Sequence, residues 1–210
     1  VTEITMAVGH LAALLVAYFG DGRQLGLAIP DSREKEPLGT AGPLALVSGL
    51  TGSFFVMNGD VLTTLNYADM FAFHRERGAL ATVASHQRDA RIDLGVIESN
   101  DDGWITNYIE KPTLHYQVSM GIYLFEPAVL RYIEPGKRLD FPDLVLKLVA
   151  AGEKVQTYPY SGYWLDIGRP DDYERATEEF ERLRHEFLPD EGIASESPVR
   201  RVGEGAIRER

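Results

Sequence analysis

No cysteine occurs in the 210 residues, so disulfides and thiolate zinc sites are excluded. Histidine is scarce, and the five present show no close ligand pairing. His74, on a helical pattern, reads as a helix-face residue. No apolar run approaches the roughly 20 residues that span a bilayer, and the chain does not open on a charged-then-apolar signal segment. Positive charge is in deficit: 21 Lys and Arg face 32 Asp and Glu, and the basic residues form no stripe. A nucleic-acid surface is therefore not expected. A phosphorylated small molecule remains within reach, because a bound divalent cation can supply positive charge locally. A reducing cytoplasm suits the missing cysteines. An initiating methionine is lacking too. Val1 to Val8 reads as a short turn followed at once by a buried strand, where a parallel-sheet protein would ordinarily place a strand and a helix first. The expectation is that the true N-terminus lies outside this sequence.

What is present alternates. Ile4 to Val8 is an apolar strand, and Leu11 to Phe19 a helix closed by Gly20-Asp21-Gly22. Leu25 to Ile29 reads as the next strand and Pro43 to Leu50 as a short helix. Phe54 to Met57 has no polar alternation, which predicts a strand covered on both faces. Asn66 is placed to cap a helix running to Arg77 and closed by Gly78. Ala79 to Ser85 is a further strand. The order of elements predicts a three-layer α/β/α, Rossmann-like domain with a mixed, mostly parallel sheet. The second half is richer in strands: a hairpin over Leu94–Ser99 and Trp104–Ile109, then strands at Val118–Phe125, Lys154–Tyr160 and Tyr163–Ile167. Phe141 to Ala151 reads as a helix with Asp140 as its cap, and Pro170 to Phe187 as one long amphipathic helix. The domain is expected over 1–187, with a polar tail over 188–210.

Four short runs carry candidate chemistry. Asn58-Gly59-Asp60 follows an apolar strand, where open α/β sheets place working carboxylates; the same three residues are ordinary turn formers. Glu36 to Leu44 sets Gly39, Thr40 and other small residues before a helix, where glycine allows close backbone approach to a ligand. No Gly-Lys-Ser/Thr follows, so it is not a P-loop. Glu110-Lys111-Pro112 puts an acid and a base at a strand end: a carboxylate for sugar hydroxyls and an ammonium for a phosphate, or a surface ion pair. Trp164 to Gly168 sets Asp166 between apolar neighbours, either metal-bound or capping the helix that follows. Asp60 and Asp166, far apart in sequence, could converge on one magnesium ion.

Together, in this order, the four runs resemble the sugar-phosphate nucleotidyltransferases, from about Val1 to about Arg184. Glu36–Leu44 and Gly162–Gly168, the latter followed by Arg169-Pro170-Asp171-Asp172-Tyr173, are most similar to the mannose-1-phosphate guanylyltransferase branch. Asn58-Gly59-Asp60, Glu110-Lys111-Pro112 and Gly121 to Phe125 are shared across the family. The resemblance implies attack by a sugar-1-phosphate oxygen on the α-phosphorus of a nucleoside triphosphate, with GTP and mannose-1-phosphate favoured and pyrophosphate released. It implies Asp60 and Asp166 as ligands of the catalytic Mg2+, Lys111 on the sugar phosphate and Glu110 on a sugar hydroxyl. Gly39 and Thr40 would line the base pocket beside the Asn58-Gly59 turn, and Gly95 would meet the sugar through its backbone. Ser119 stands where many members carry asparagine. The family's opening strand and glycine-rich loop with Gly-Thr-Arg are not found in these residues. The expectation is an enzyme whose present chain is close to inactive alone, prone to self-association through an open sheet edge. The competing expectation is a non-catalytic relative that binds nucleotide sugars.

Overall fold

The computed structural model describes residues 1–9 and 12–189. Leu11, and all of the expected tail beyond Pro189, lie outside the described residues. The elements in chain order are β1 (Met6–Val8), α1 (Ala12–Phe19), β2 (Asp31–Arg33), β3 (Phe54–Met57), β4 (Val61–Thr63) and α2 (Tyr67–Arg77). There follow β5 (Ala81–Arg91), β6 (Val96–Ser99), β7 (Ile105–Ile109), β8 (Thr113–Phe125), α3 (Phe141–Ala150), β9 (Val155–Tyr160), β10 (Trp164–Asp166), α4 (Pro170–Arg182) and α5 (Arg184–Phe187).

The main sheet has the order β3-β8-β5-β9. β8 runs antiparallel to both its neighbours, and β9 is parallel to β5. Three of these four strands therefore share a direction, and β8 is the one that makes the sheet mixed. Along β8 the side chains alternate between two cores, as the two-residue strand period requires. Tyr123 and Phe125 join Phe141, Leu144 and Leu148 of α3 on one face. Met120, Ile122 and Leu124 join Met70 of α2 and Leu65 on the other. Phe54 and Val56 pack on the first core and Phe55 on the second, so both faces of β3 are covered as expected. Helix, sheet and helix form the three layers.

Local signals explain most boundaries. Asn66 accepts from the amides of Ala68 and Asp69, and Gly78 closes α2 at φ 58°. The strand expected over Leu25–Ile29 does not form. Gly22 and Gly26, both left-handed, wind Arg23–Leu25 into a 3-10 turn, and pairing with β1 shifts to Asp31–Arg33. The helix expected from Pro43 shortens to a 3-10 turn over Gly42–Leu46. The long C-terminal helix breaks at Leu183 between α4 and α5. α1 is apolar throughout yet has no buried residue. Among the described residues no helix is long and apolar enough to cross a membrane.

Candidate functional site

The site begins at an irregularity in β8. Val83 lies opposite Tyr123, but Ser85 lies opposite Ser119, so Met120, Gly121 and Ile122 face Ala84 alone. The bulge lies beside the end of β3, where Met57 pairs with Ile122. Asn58 donates its amide to the Gly121 carbonyl at 2.9 Å. Gly121 has φ 73°, and a Cβ there would stand 2.8 Å from Asn58 Nδ2. The glycine is thus required both for its backbone and for the room it leaves Asn58. Gly59 and Asp60 follow in an exposed turn before β4.

β4 pairs antiparallel with β10, setting Asp166 opposite Val61, and Ile167 donates its amide to the Asp60 carbonyl at 2.8 Å. The two aspartates expected to share an ion therefore stand on adjoining strand ends, one residue out of register. Regular alternation would send them to opposite faces. Asp60, however, lies in the turn before the first paired residue, so the ladder does not dictate its direction. Asp166 was expected buried between apolar neighbours; it is exposed, because Leu165, 6% exposed, takes the inward position of the alternation. Among the described residues no third His, Asp or Glu joins them in a metal-binding group.

The other expected residues lie elsewhere. Glu110 and Lys111 are exposed at the far tip of the β5–β8 ribbon, with Nζ 4.0 Å from the Glu110 carboxylate. Gly121 lies eight positions beyond Thr113 in β8, about 26 Å along a straight strand. Lys111 adopts φ 46°, the left-handed region, and no other described non-glycine residue has a positive φ. Gly95 lies against Tyr108 of the β6–β7 hairpin, whose ring a Cβ would strike. Ser119 is exposed, donates to the Tyr123 hydroxyl at 3.3 Å and accepts from the Gly121 amide.

Gly39 and Thr40 have a structural task. Asp140 takes the N-cap position of α3 as expected, but its side chain makes no cap hydrogen bond to the helix. Instead Asp140 Oδ1 accepts from the Thr40 amide at 2.9 Å, and Thr40 Oγ1 accepts from the Phe141 amide at 2.9 Å. Gly39, at φ 78°, leaves room that a Cβ would take 2.6 Å from Asp140 Oδ1. The Thr40 amide, helped by Arg138, holds the Asp140 carboxyl below its ordinary range.

Sequence reasoning missed the residues that brace the aspartates. Trp164 Nε1 donates to the Met120 carbonyl at 3.1 Å, so the bulge that seats Asn58 also anchors β10. His86 Nε2 lies 3.1 Å from the Gly162 carbonyl, and its ring stands 5.5 Å from that of Trp164. Thr64 Oγ1 meets the Tyr160 hydroxyl at 2.6 Å. Gly121 within an apolar strand was the signal for the bulge; nothing in the sequence marks His86.

A family model described as "Nucleotidyl transferase" matches residues 1–182. The chain belongs to the nucleotidyl transferase family. It is 34% identical over 182 residues to a probable mannose-1-phosphate guanylyltransferase 3 of Oryza sativa subsp. japonica, covering 82% of this chain and 50% of that one. To the mannose-1-phosphate guanylyltransferase catalytic subunit beta of Dictyostelium discoideum it is 32% identical over 180 residues, with the same coverage. The chain spans about half the length of these relatives. In fold it is similar to HddC from Yersinia pseudotuberculosis, with TM-score 0.63 and 20% identity over 86% of this chain and 79% of that one; HddC is also solved with GMP-PN.

Proposed function

We propose that a protein carrying this chain transfers a nucleotidyl group from a nucleoside triphosphate to a sugar-1-phosphate, GTP and mannose-1-phosphate being favoured. The observation that carries the reading is the pair Asp60 and Asp166 on adjoining strand ends, in a member of this family. The preference for guanine and mannose rests on the names of the relatives alone.

Two carboxylates without a third protein ligand fit Mg2+, which is commonly held by one or two carboxylates, waters and substrate phosphates. Asp60 and Asp166 would hold it, and when bound it neutralises phosphate charge and orients the attacked phosphorus. The chain's own part is positioning. The β8 bulge seats Asn58 beside the Asp60 turn, and the β4–β10 pair sets the second carboxylate next to the first. Lys111 is assigned to the sugar phosphate on the family pattern and its strained backbone, since strain in ordered chains clusters at functional positions. That assignment requires the β5–β8 ribbon to curl towards the turn. Gly39 and Thr40 would shape the base pocket through the backbone they hold against Asp140.

The test is pyrophosphate release, by a full-length protein carrying this chain, from GTP and mannose-1-phosphate, with other triphosphates and hexose-1-phosphates alongside. Magnesium-dependent release that falls at least a hundredfold in Asp60→Asn and Asp166→Asn is expected, on the scale of losing a preorganised charge-stabilising group. Absence of release with every pair tried would overturn the reading. Binding of a nucleotide sugar without turnover would favour the non-catalytic relative.

A further inference from the structure

The β4–β10 ribbon is a two-stranded sheet of its own, in no backbone ladder with a strand of the main sheet. It nonetheless carries Asp166 and is bonded through the Ile167 amide to the turn of Asp60, so what sets its place sets the second aspartate against the first. Two side-chain contacts to backbone carbonyls cross between the units: Trp164 Nε1 to the Met120 carbonyl of β8, and His86 of β5 to the Gly162 carbonyl just before β10. The contacts share a cluster, because the Trp164 ring lies against His86, tilted by 34°, and beneath the Arg88 guanidinium, 5.5 Å from its centroid. The turn leaves no slack, since a Cβ on Gly162 would strike the Tyr160 hydroxyl.

We propose that His86 is a positioning residue. Its Nε2–H donates to the Gly162 carbonyl, and with the Trp164 ring against its own it holds the ribbon that carries Asp166 at a set place on the main sheet. A carbonyl oxygen only accepts, so the tie requires the proton on Nε2. Nδ1 faces a second carbonyl, that of Gln87, at 2.9 Å. The opposite neutral tautomer, with its proton on Nδ1, would satisfy Gln87 and break the tie. The effect on metal binding rests on the proposed role of Asp60 and Asp166; the mechanical tie does not.

The experiment uses the whole chain with three substitutions: His86→Phe keeps an aromatic ring on Trp164 without donors, His86→Gln keeps a donor near the Nε2 position, and Asp166→Asn serves as reference. Imidazole nitrogen NMR of the unsubstituted chain should show Nε2 protonated; a bare Nε2 overturns the proposal without any variant. Exchange of the Ile167 amide, which reports the β4–β10 contact at Asp60, and Mn2+ binding followed by electron paramagnetic resonance are the other readouts. His86→Phe should exchange faster and bind Mn2+ more weakly, each by about three- to tenfold, with His86→Gln within about twofold of the unsubstituted chain, the scale of one net hydrogen bond. Unchanged exchange in His86→Phe, or equal impairment in Phe and Gln variants, overturns it. If Asp166→Asn binds Mn2+ as the unsubstituted chain does, the metal reading falls, while exchange at Ile167 still judges the tie.

Discussion

One strand, β8, lives in two environments. From Met120 to Phe125 every residue is buried; from Thr113 to Gln117 every residue is exposed. The buried half is apolar on both faces and touches both cores. In the exposed half the two faces differ: Leu114 and Tyr116 lie on one, Thr113, His115 and Gln117 on the other, and the partner there is the outer half of β5. The bulge that seats Asn58 and receives Trp164 falls at the junction. The polypeptide leaves the core there, and backbone carbonyls become available to side chains rather than to a regular ladder. The buried half thus braces the turn of Asp60 through Asn58 and the strand of Asp166 through Trp164, and the projecting half leads back to Glu110 and Lys111.

The comparison breaks first under truncation. Phe125→Ala, at 0% exposure among Tyr123, Phe141 and Phe54, should destabilise by about 3–5 kcal/mol. Tyr116→Ala on the projecting half, 51% exposed, should change stability by no more than about 0.5 kcal/mol. Urea unfolding of both variants checks this, and similar losses would erase the distinction between the halves.

Gly121→Ala probes the junction. A side chain at φ 73° costs about 1–2 kcal/mol, and the new Cβ presses on Asn58. Stability should fall by about that amount, and nucleotidyl transfer, if it is the activity, should fall further than stability alone explains. A variant with normal turnover would show that Asn58 need not sit where the bulge puts it.

Much of this was legible beforehand, and for physical reasons. The apolar run within Val118–Phe125, the Asn66 cap and the glycine-closed α2 are local signals, and they led to the observed elements. The pairing of Asp60 with Asp166 was legible only because each stood at a strand end in a known family pattern. Cross-chain contacts were not legible. Thr40 and Asp140, a hundred residues apart, exchange the expected cap of α3 for a reciprocal one, and no periodicity signals that. The strand expected at Leu25–Ile29 failed because two left-handed glycines outweighed an apolar run. The outer ribbon is longer than expected since β5 and β8 continue as each other's partners after the core ends, where burial no longer patterns the sequence.

Thr40→Ala should cost about 1 kcal/mol, the usual scale for a lost helix cap, because the Phe141 amide loses its acceptor. Thermal or urea unfolding would reveal it, and a neutral result would mean that water replaces the hydroxyl without loss.

The smallest effect separates the seam from the core. The seam between residues 38–42 and 139–141 includes a carboxylate held below its ordinary range chiefly by the Thr40 amide. A group whose folded-state pKa is depressed contributes stability above its unfolded pKa, about 3.9 for Asp, and loses it as pH falls through the lower folded value. Asp140→Asn keeps an oxygen acceptor for that amide but removes the charge. The unsubstituted chain should therefore hold an advantage over Asp140→Asn at pH 7 that shrinks below about pH 4. Asp89, Glu134 and Glu153 are lowered in the same direction by their own partners, so only the difference between the two proteins isolates Asp140. Urea titrations at pH 7 and in the acid range give that difference directly. If it stays constant with pH, the Thr40 amide does not stabilise the charged form, and the seam is held by its backbone bonds alone.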